Sequence, residues 1–399
     1  MRILHAIPVY PPAWQYGGPV LSVSRLCEAL VCAGHSVHVL TTNAGLPDLS
    51  DSVFQRPVIR NGVVINYFPV DSHRGIIRSK VMDSNLNHAL NNADILHLSS
   101  IWQPWANKLQ RFANQAGIPV LQSARGALSA YSFRRSWWKK FPYYYFIQRP
   151  LLQKASGIHV TSIQELHEVS GHKLKPRSFL FPNPVDVSFP FINSEQRVFW
   201  RNHFNLVEPC RLLLVCGRQH HKKGLDILPI LLSNLANHHW FLLLVGSDED
   251  GSGFRLLSAL SSLGLGHRVH ILPTVPSDEL PGLFAAADLL LLPSRHENFG
   301  NVVIEALACG CPVIISDSTG VANDLLHKAP SDFGMVVPRN IFHWTTWLQA
   351  WFARPVIRAN QTAEWVICHY SKEAVAQRAI DVYTTLINYC SSIKKERGS

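Results

Sequence analysis

The chain has 399 residues, 47% of them hydrophobic and 16% charged, with a formal net charge of +10. This composition excludes a disordered chain, and the length suits two packed domains better than one core. The charge is uneven: residues 1–185 carry 19 Lys/Arg against 8 Asp/Glu, and residues 186–399 carry 18 against 19, so the first half is expected to meet an acidic partner.

Residues 2–8 read as a first strand, followed by a loop holding Tyr16-Gly17-Gly18-Pro19. The spacing of Leu21, Leu26 and Leu30 predicts a helix over 20–33, stopped by Gly34, and 36–40 returns as strand two. Strand, glycine loop and helix in that order form a phosphate-approaching βα unit, although the GxGxxG spacing of a dinucleotide site is missing. Further strands are predicted at 63–68, 95–98, 119–122 and 157–160, with helical stretches between several of them, which gives a parallel sheet covered on both faces. From Ile95 to Gln164 there is no acidic residue and there are nine Lys/Arg. Within it, residues 134–149 (RRSWWKKFPYYYFIQR) interleave cations with aromatics. That pattern fits a solvated amphipathic helix, a membrane-surface patch or a groove for an anionic acceptor. No nucleic-acid module accompanies it.

Around Phe181 the texture becomes Pro-rich, marking a linker, and the alternation then restarts. Strands are predicted at 211–216, 240–245, 269–272, 289–292, 313–315 and 334–337, with a helix over 225–235 and a helical tail over 371–393. Two doubly wound domains in tandem are expected to hold their ligand in the cleft between them, at the carboxyl ends of the strands. Eight cysteines without a CxxC pair read as thiols of a reducing compartment. The N-terminus reads as a strand and not as a signal peptide, and no apolar run reaches transmembrane length, so the expected location is cytoplasmic, with membrane contact at the surface alone.

The stretch 293–312 (PSRHENFGNVVIEALACGCP) stands out. A helix starting near Asn301 is apolar except at Glu305, and Glu297 lies on the loop entering it. A helix N-terminus is an anion site, and the two carboxylates can accept sugar or ribose hydroxyls, so the unit suits a sugar bonded to phosphate. The loop 217–224 adds Arg218, Lys222 and Lys223 after a strand, a set suited to a diphosphate. Asp248-Glu249-Asp250 is the nearest acid cluster and reads as a solvated loop, so no metal and no cofactor are expected.

These residues resemble the donor half of the family-4 retaining glycosyltransferases. The resemblance is carried by Gly217-Arg218 with Lys223-Gly224, Pro293-Ser294, the E-x7-E pair Glu297 and Glu305, Phe299-Gly300, Gly310-Cys311-Pro312-Val313, the early Gly17-Gly18 loop and the PNPVD segment. It implies a GT-B fold: two facing Rossmann-like, doubly wound parallel-sheet domains with a deep interdomain cleft. The first, residues 1–185, would bind the acceptor and the second, 186–370, the nucleotide-sugar donor, with a final helix over 371–399 crossing back to the first domain. By the resemblance, Arg218 and Lys223 bind the donor diphosphate, Glu305 accepts from the ribose, and Glu297 contacts the donor sugar. The amides near Gly300, Asn301 and Val302 hold phosphate, and Gly17 and Gly18 let the first domain's backbone approach it. Arg125 stands where many members have a His near the reacting sugar. Arg cannot act as a base there but can stabilise a leaving phosphate or an acidic acceptor. His97 resembles a recurrent family His, while by itself it reads as a core His bonded to backbone. Asn323 stands where the family often has Glu.

The implied activity is transfer of a sugar from a UDP- or GDP-sugar to a hydroxyl of a glycan or lipid-linked glycan, as in exopolysaccharide or lipopolysaccharide assembly. A nucleotide-sugar epimerase or a sugar phosphorylase fits the same architecture. A basic membrane- or polyanion-binding protein with a vestigial donor site is the non-enzymatic alternative.

Overall fold

The computed structural model describes residues 1–46, 56–71, 76–134, 137–186, 194–273 and 275–398. It divides into two compact units, Met1–Pro184 with Lys372–Ser399, and Val185–Ser371.

The first unit is built on an eight-stranded sheet of order β3-β4-β2-β1-β5-β6-β7-β8. Its strands are β1 (Arg2–Val9), β2 (Ser36–Thr42), β3 (Val58–Arg60), β4 (Val63–Phe68), β5 (Ile95–Leu98), β6 (Val120–Ser123), β7 (Gly157–Val160) and β8 (Ser178–Leu180). Neighbours run parallel except β3 with β4. The central strands are buried on both faces, which is why β5 reads as the unbroken run ILHL and not as an alternation. Helix α1 (Gly18–Cys32) follows β1, α2 (Pro104–Gln115) follows β5 and α3 (Ile163–Ser170) follows β7. The C-terminal helix Lys372–Gly398 packs Val375, Ala379 and Tyr383 into the core that holds Val23, Leu26 and Leu30 of α1.

Three elements of this unit depart from the sequence reading. The antiparallel strand β3 is added through the turn Asn61-Gly62, where both residues have positive φ, at 49° and 77°. The Pro-rich linker begins inside the core: Phe181 is fully buried and its ring stacks on His159 at 3.6 Å between centroids. The basic-aromatic stretch is not one regular helix. It comprises Ala130–Arg134, Trp137–Tyr143 with Pro142 inside it, a π-helical turn Tyr144–Gln148 and Arg149–Leu152. Arg135 and Ser136 lie outside the described residues.

The second unit holds a six-stranded parallel sheet of order β11-β10-β9-β12-β13-β14. Its strands are β9 (Arg211–Cys216), β10 (Trp240–Val245), β11 (Val269–Leu272), β12 (Leu289–Leu292), β13 (Val313–Ser316) and β14 (Gly334–Val337). The strand LLLL of β12 is wholly buried. Helix α4 (Ser252–Ser262) follows β10, and α5 (Asn301–Ala308) joins β12 to β13. The helix expected over 225–235 is a 3-10 turn Leu225–Ile227 followed by an α-helix Leu228–Ser233, with Pro229 in the first turn of the latter. The chain order reverses between β9 and β12 in the second sheet and between β1 and β5 in the first, where the antiparallel β3 adds a second change of direction at β4. Ligands of open α/β sheets bind at the carboxyl ends of the strands at such a reversal.

Three histidines, on β1, β5 and β7, form the polar interior of the first unit. His97 bonds through Nδ1 to Tyr383 Oη at 2.7 Å and through Nε2 to Ser123 Oγ at 2.6 Å, so its partners are side chains and not backbone. Ser123 Oγ also bonds His159 Nδ1 at 2.7 Å, and His159 Nε2 donates to the Phe181 carbonyl at 2.9 Å. His5 bonds Ser99 Oγ at 2.9 Å. Burial first, and the Arg125 guanidinium second or later, hold all three imidazoles neutral, with His159 pulled down to about 3. An unfolded His takes up its proton near pH 6.5, and these do so only lower. The folded state is therefore fully stabilised above about pH 6.5 and weakens as pH falls below it. The urea midpoint of unfolding should be level from pH 8 to 7 and fall steadily between pH 6.5 and 4; a level midpoint down to pH 4.5 would contradict the neutral triad.

Candidate functional site

In the second unit, the loops after β9 and β12 meet at the chain reversal. Lys223 closes the loop after β9 and its Nζ bonds Glu297 Oε2 at 2.6 Å, both side chains being about three-quarters buried. The Lys223 side chain lies back along the loop, 3.8 Å from the position a Cβ on Gly217 would take. Glu297 is clamped through its backbone: its N–H donates to the Ser318 carbonyl at 3.0 Å and its carbonyl accepts from Gly320 at 2.9 Å. Glu305 lies one turn into α5, half-buried. The Cys216 thiol at the end of β9 is pushed up to about 12, by burial first, with Glu305 adding to the shift and Lys223 opposing it. That single thiol thus feels both the Lys and the Glu. Gly300, Asn301 and Val302 open α5, with Gly300 as its N-cap at φ 99° and no acid in the first turn. This is the positive end of the helix.

Arg218 does not join the pair. Its Nη1 bonds Glu249 Oε1 at 2.6 Å on the loop after β10, and its side chain is half-exposed. The acid cluster 248–250 is also engaged and is not merely solvated. Asp250 accepts from Ser252 Oγ and from the His221 amide, which hold its carboxyl well below the usual range. Among the described residues, His220, His221 and Asp250 bring ligand-capable atoms within 4.8 Å of one another.

Sequence reasoning missed the brace beneath the site. Asp226 accepts from Arg295 Nη2 at 2.7 Å and from Arg339 Nη2 at 2.6 Å. Arg339 Nε reaches the Pro293 carbonyl at 3.0 Å, and the Arg295 amide donates to the Lys222 carbonyl at 2.7 Å. The β9 and β12 loops are thereby locked in register beside Lys223 and Glu297. No local pattern marks these residues, because 69 positions separate Asp226 from Arg295 and 113 separate it from Arg339.

In the first unit, a cavity of about 390 Å³ opens at the carboxyl ends of β1, β5 and β6. Ile7, Tyr16, Pro19, Ser99, Ser100 and Arg125 are among its lining residues. Gly17, at φ 76°, caps α1, and Gly18 opens the helix at the rim. Arg125 is largely buried, in the left-handed region at φ 47°. Burial pulls its guanidinium down to about 10, still cationic at neutral pH.

Gly224 is where backbone freedom matters most. It has φ 67°, and a Cβ there would sit 2.0 Å from the Pro293 carbonyl oxygen. Gly224→Ala should separate the β9 and β12 loops and destabilise the protein by more than about 1 kcal/mol. Thermal unfolding measures this, and an unchanged Tm would show that the two loops are not in contact.

Comparison with known proteins agrees with this geometry. The family described as "Glycosyl transferases group 1" matches residues 196–340, and the "Glycosyl transferase 4-like domain" matches residues 17–184. A D-inositol 3-phosphate glycosyltransferase of Streptosporangium roseum is 28% identical over 201 residues, 46% of this chain and 44% of that protein. The chain spans about half the length of the curated relatives it matches. Among solved structures, sucrose-phosphate synthase from Thermosynechococcus elongatus superposes with a TM-score of 0.77 at 20% identity, covering 98% of this chain and 100% of that one. Anabaena HepE in complex with UDP and glucose superposes at 0.74 with 16% identity, covering 96% and 99%. At such identities the likeness shows the fold. With both halves matched by consecutive family descriptions and two parallel-sheet α/β units of this order, the chain belongs to the group 1, family-4 glycosyltransferases and has the GT-B fold.

Proposed function

We propose that this protein is a retaining glycosyltransferase that moves a sugar from UDP or GDP to a hydroxyl of a glycan or lipid-linked glycan precursor. The observation that carries the reading is the Lys223–Glu297 contact at the β9/β12 reversal, beside the positive end of α5. A cation, a carboxylate and a helix N-terminus together suit a sugar joined to a diphosphate. The complex named for HepE contains UDP and glucose, which supports a nucleotide-sugar donor here.

In this reading Lys223 and the amides of Gly300, Asn301 and Val302 neutralise the diphosphate, and Glu305 accepts from the ribose hydroxyls. Glu297 accepts from the donor sugar, and its salt bridge to Lys223 holds both groups in place before the donor arrives. Arg218 turns from Glu249 to the diphosphate when the donor binds. The bond from the sugar's anomeric carbon to the phosphate oxygen breaks, and the electron pair leaves on the diphosphate. The acceptor oxygen bonds the same carbon on the same face, and its proton passes to the departing phosphate oxygen. The protein contributes charge stabilisation and alignment, with no covalent intermediate. The transfer is metal-independent, the cation role falling to side chains and helix amides.

The donor unit is residues 186–370 and the acceptor unit residues 1–185, working at the cytoplasmic face of a membrane in polysaccharide or lipopolysaccharide assembly. No helix among the described residues is long and apolar enough to cross a membrane. Trp137, Trp138, Phe141 and Phe146 are more than half exposed beside Lys139 and Lys140, which supports peripheral contact with an anionic surface.

A thermal-shift screen over UDP, GDP, ADP and their sugars should raise Tm for one nucleotide series. With the donor so identified, Lys223→Ala should lower turnover about a hundredfold, EDTA should leave it unchanged, and the product should keep the donor's anomeric configuration by NMR. Near-normal turnover of Lys223→Ala would remove the diphosphate clamp. Vesicle sedimentation checks the surface patch: Trp137→Ala with Trp138→Ala should reduce binding to anionic vesicles several-fold, and equal binding would exclude the patch.

A further inference from the structure

The cavity at the carboxyl ends of β1, β5 and β6 has a charge pattern of its own. Its walls are largely apolar, no Asp or Glu lines it, and Arg125 is the charged residue among those that do. Arg125 Nε donates to Ser99 Oγ at 3.1 Å, and Nη1 donates to Ser22 Oγ at 3.1 Å and Asn183 Oδ1 at 3.3 Å. Nη2 has no hydrogen-bond acceptor among the described residues. Glu165, which is buried, is committed to the Gly126 amide and to the amide and hydroxyl of Thr161. It makes no ion pair with Arg125 among the described residues. The guanidinium therefore lies in a largely buried place without a direct ion pair among the described residues, with Glu165 acting on it only from a distance, an arrangement that costs stability unless a ligand supplies a closer counter-charge.

Two further features point the same way. Ser100 lines the cavity, is 6% exposed, and its hydroxyl has no hydrogen-bond partner among the described residues. The 15-residue helix α1 and the 12-residue helix α2 both begin at the cavity rim, next to the lining residues Pro19 and Gln103. Neither has an acid in its first turn or a side-chain cap, so two positive helix ends, one guanidinium and one unsatisfied hydroxyl share a single pocket.

We propose that this pocket binds an oxyanion carried by the acceptor, a phosphate ester or a carboxylate, on Arg125 Nη2 and Ser100 Oγ. The inference rests on the reading of this unit as acceptor-binding and specifies the acceptor as anionic. Arg125 then selects the acceptor by charge: the cationic Nη2 gives charge-assisted hydrogen bonds to an oxyanion and has nothing comparable to offer a neutral sugar. The apolar walls of the pocket take the sugar ring's carbon face.

The test is calorimetric titration of the full chain at saturating UDP, so that added anions cannot occupy the diphosphate site. The probes are inorganic phosphate, glucose 6-phosphate, glucuronate and glucose. The proposal expects at least one sugar anion to bind roughly tenfold or more tightly than glucose, with inorganic phosphate competing for its site. The glucose 6-phosphate and glucuronate arms tell phosphate from carboxylate. Arg125→Gln should abolish the preference while UDP still binds. If that variant does not fold, Ser100→Ala serves, with several-fold loss of the preference expected. Equal binding of charged and neutral probes, no binding of any anion, or an anion preference that survives in a folded Arg125→Gln or Ser100→Ala variant would overturn the proposal. Failure of UDP to bind would strike the donor reading instead, and the wild-type and Arg125→Gln comparison without UDP would still decide the pocket.

Discussion

A parallel sheet whose chain order reverses leaves a gap at the carboxyl ends of its two central strands, because right-handed crossovers carry the two connections to opposite faces. In the second unit that gap lies between β9 and β12, and the Lys223–Glu297 salt bridge stands in it. Two partly buried, opposite charges from loops 74 positions apart meet only if both loops hold their geometry. Asp226, shared by Arg295 and Arg339, holds it from below, and the Glu297 backbone is fastened to the loop after β13. In the proposed function, a diphosphate and a sugar hydroxyl arriving there would meet groups already positioned, which is the condition for stabilising charge without reorganisation at the moment of reaction.

The first unit repeats the arrangement at its own reversal between β1 and β5, with different chemistry. Its interior is a chain of neutral histidines and serines running from Tyr383 of the C-terminal helix to the Phe181 carbonyl. Ser99 links His5 to Arg125, so the polar interior ends at the one guanidinium facing the cavity. Neutral imidazoles are the inexpensive way to bury such a chain, since His97 and His159 fill both ring nitrogens and none of the three adds charge beside Arg125.

The strands were the most legible part of the chain, because burial on both faces turns them into plain apolar runs such as ILHL and LLLL. The hairpin at β3 was overlooked although Asn61-Gly62 is the usual signal for one, since the strand is only three residues long. Lys223 and Glu297 were legible through their motifs. The contact between them was an expectation that local patterns alone do not supply. Arg218 stands beside them in sequence, yet its guanidinium is bonded to Glu249 on the loop after β10. The Asp226 brace and the pairing of His97 with Tyr383, 286 positions away, depend wholly on tertiary distance. In the basic-aromatic stretch, for which an amphipathic helix was one of three readings, Pro142 and the π-helical turn interrupt a regular helix.

The most direct measurement is a crystal structure of the full chain with UDP. The account predicts diphosphate density within hydrogen-bond distance of Lys223 Nζ and of the amides at the start of α5, with the ribose on Glu305 and Arg218 drawn away from Glu249. UDP bound elsewhere, or a diphosphate that leaves both Lys223 and those amides untouched, would contradict it.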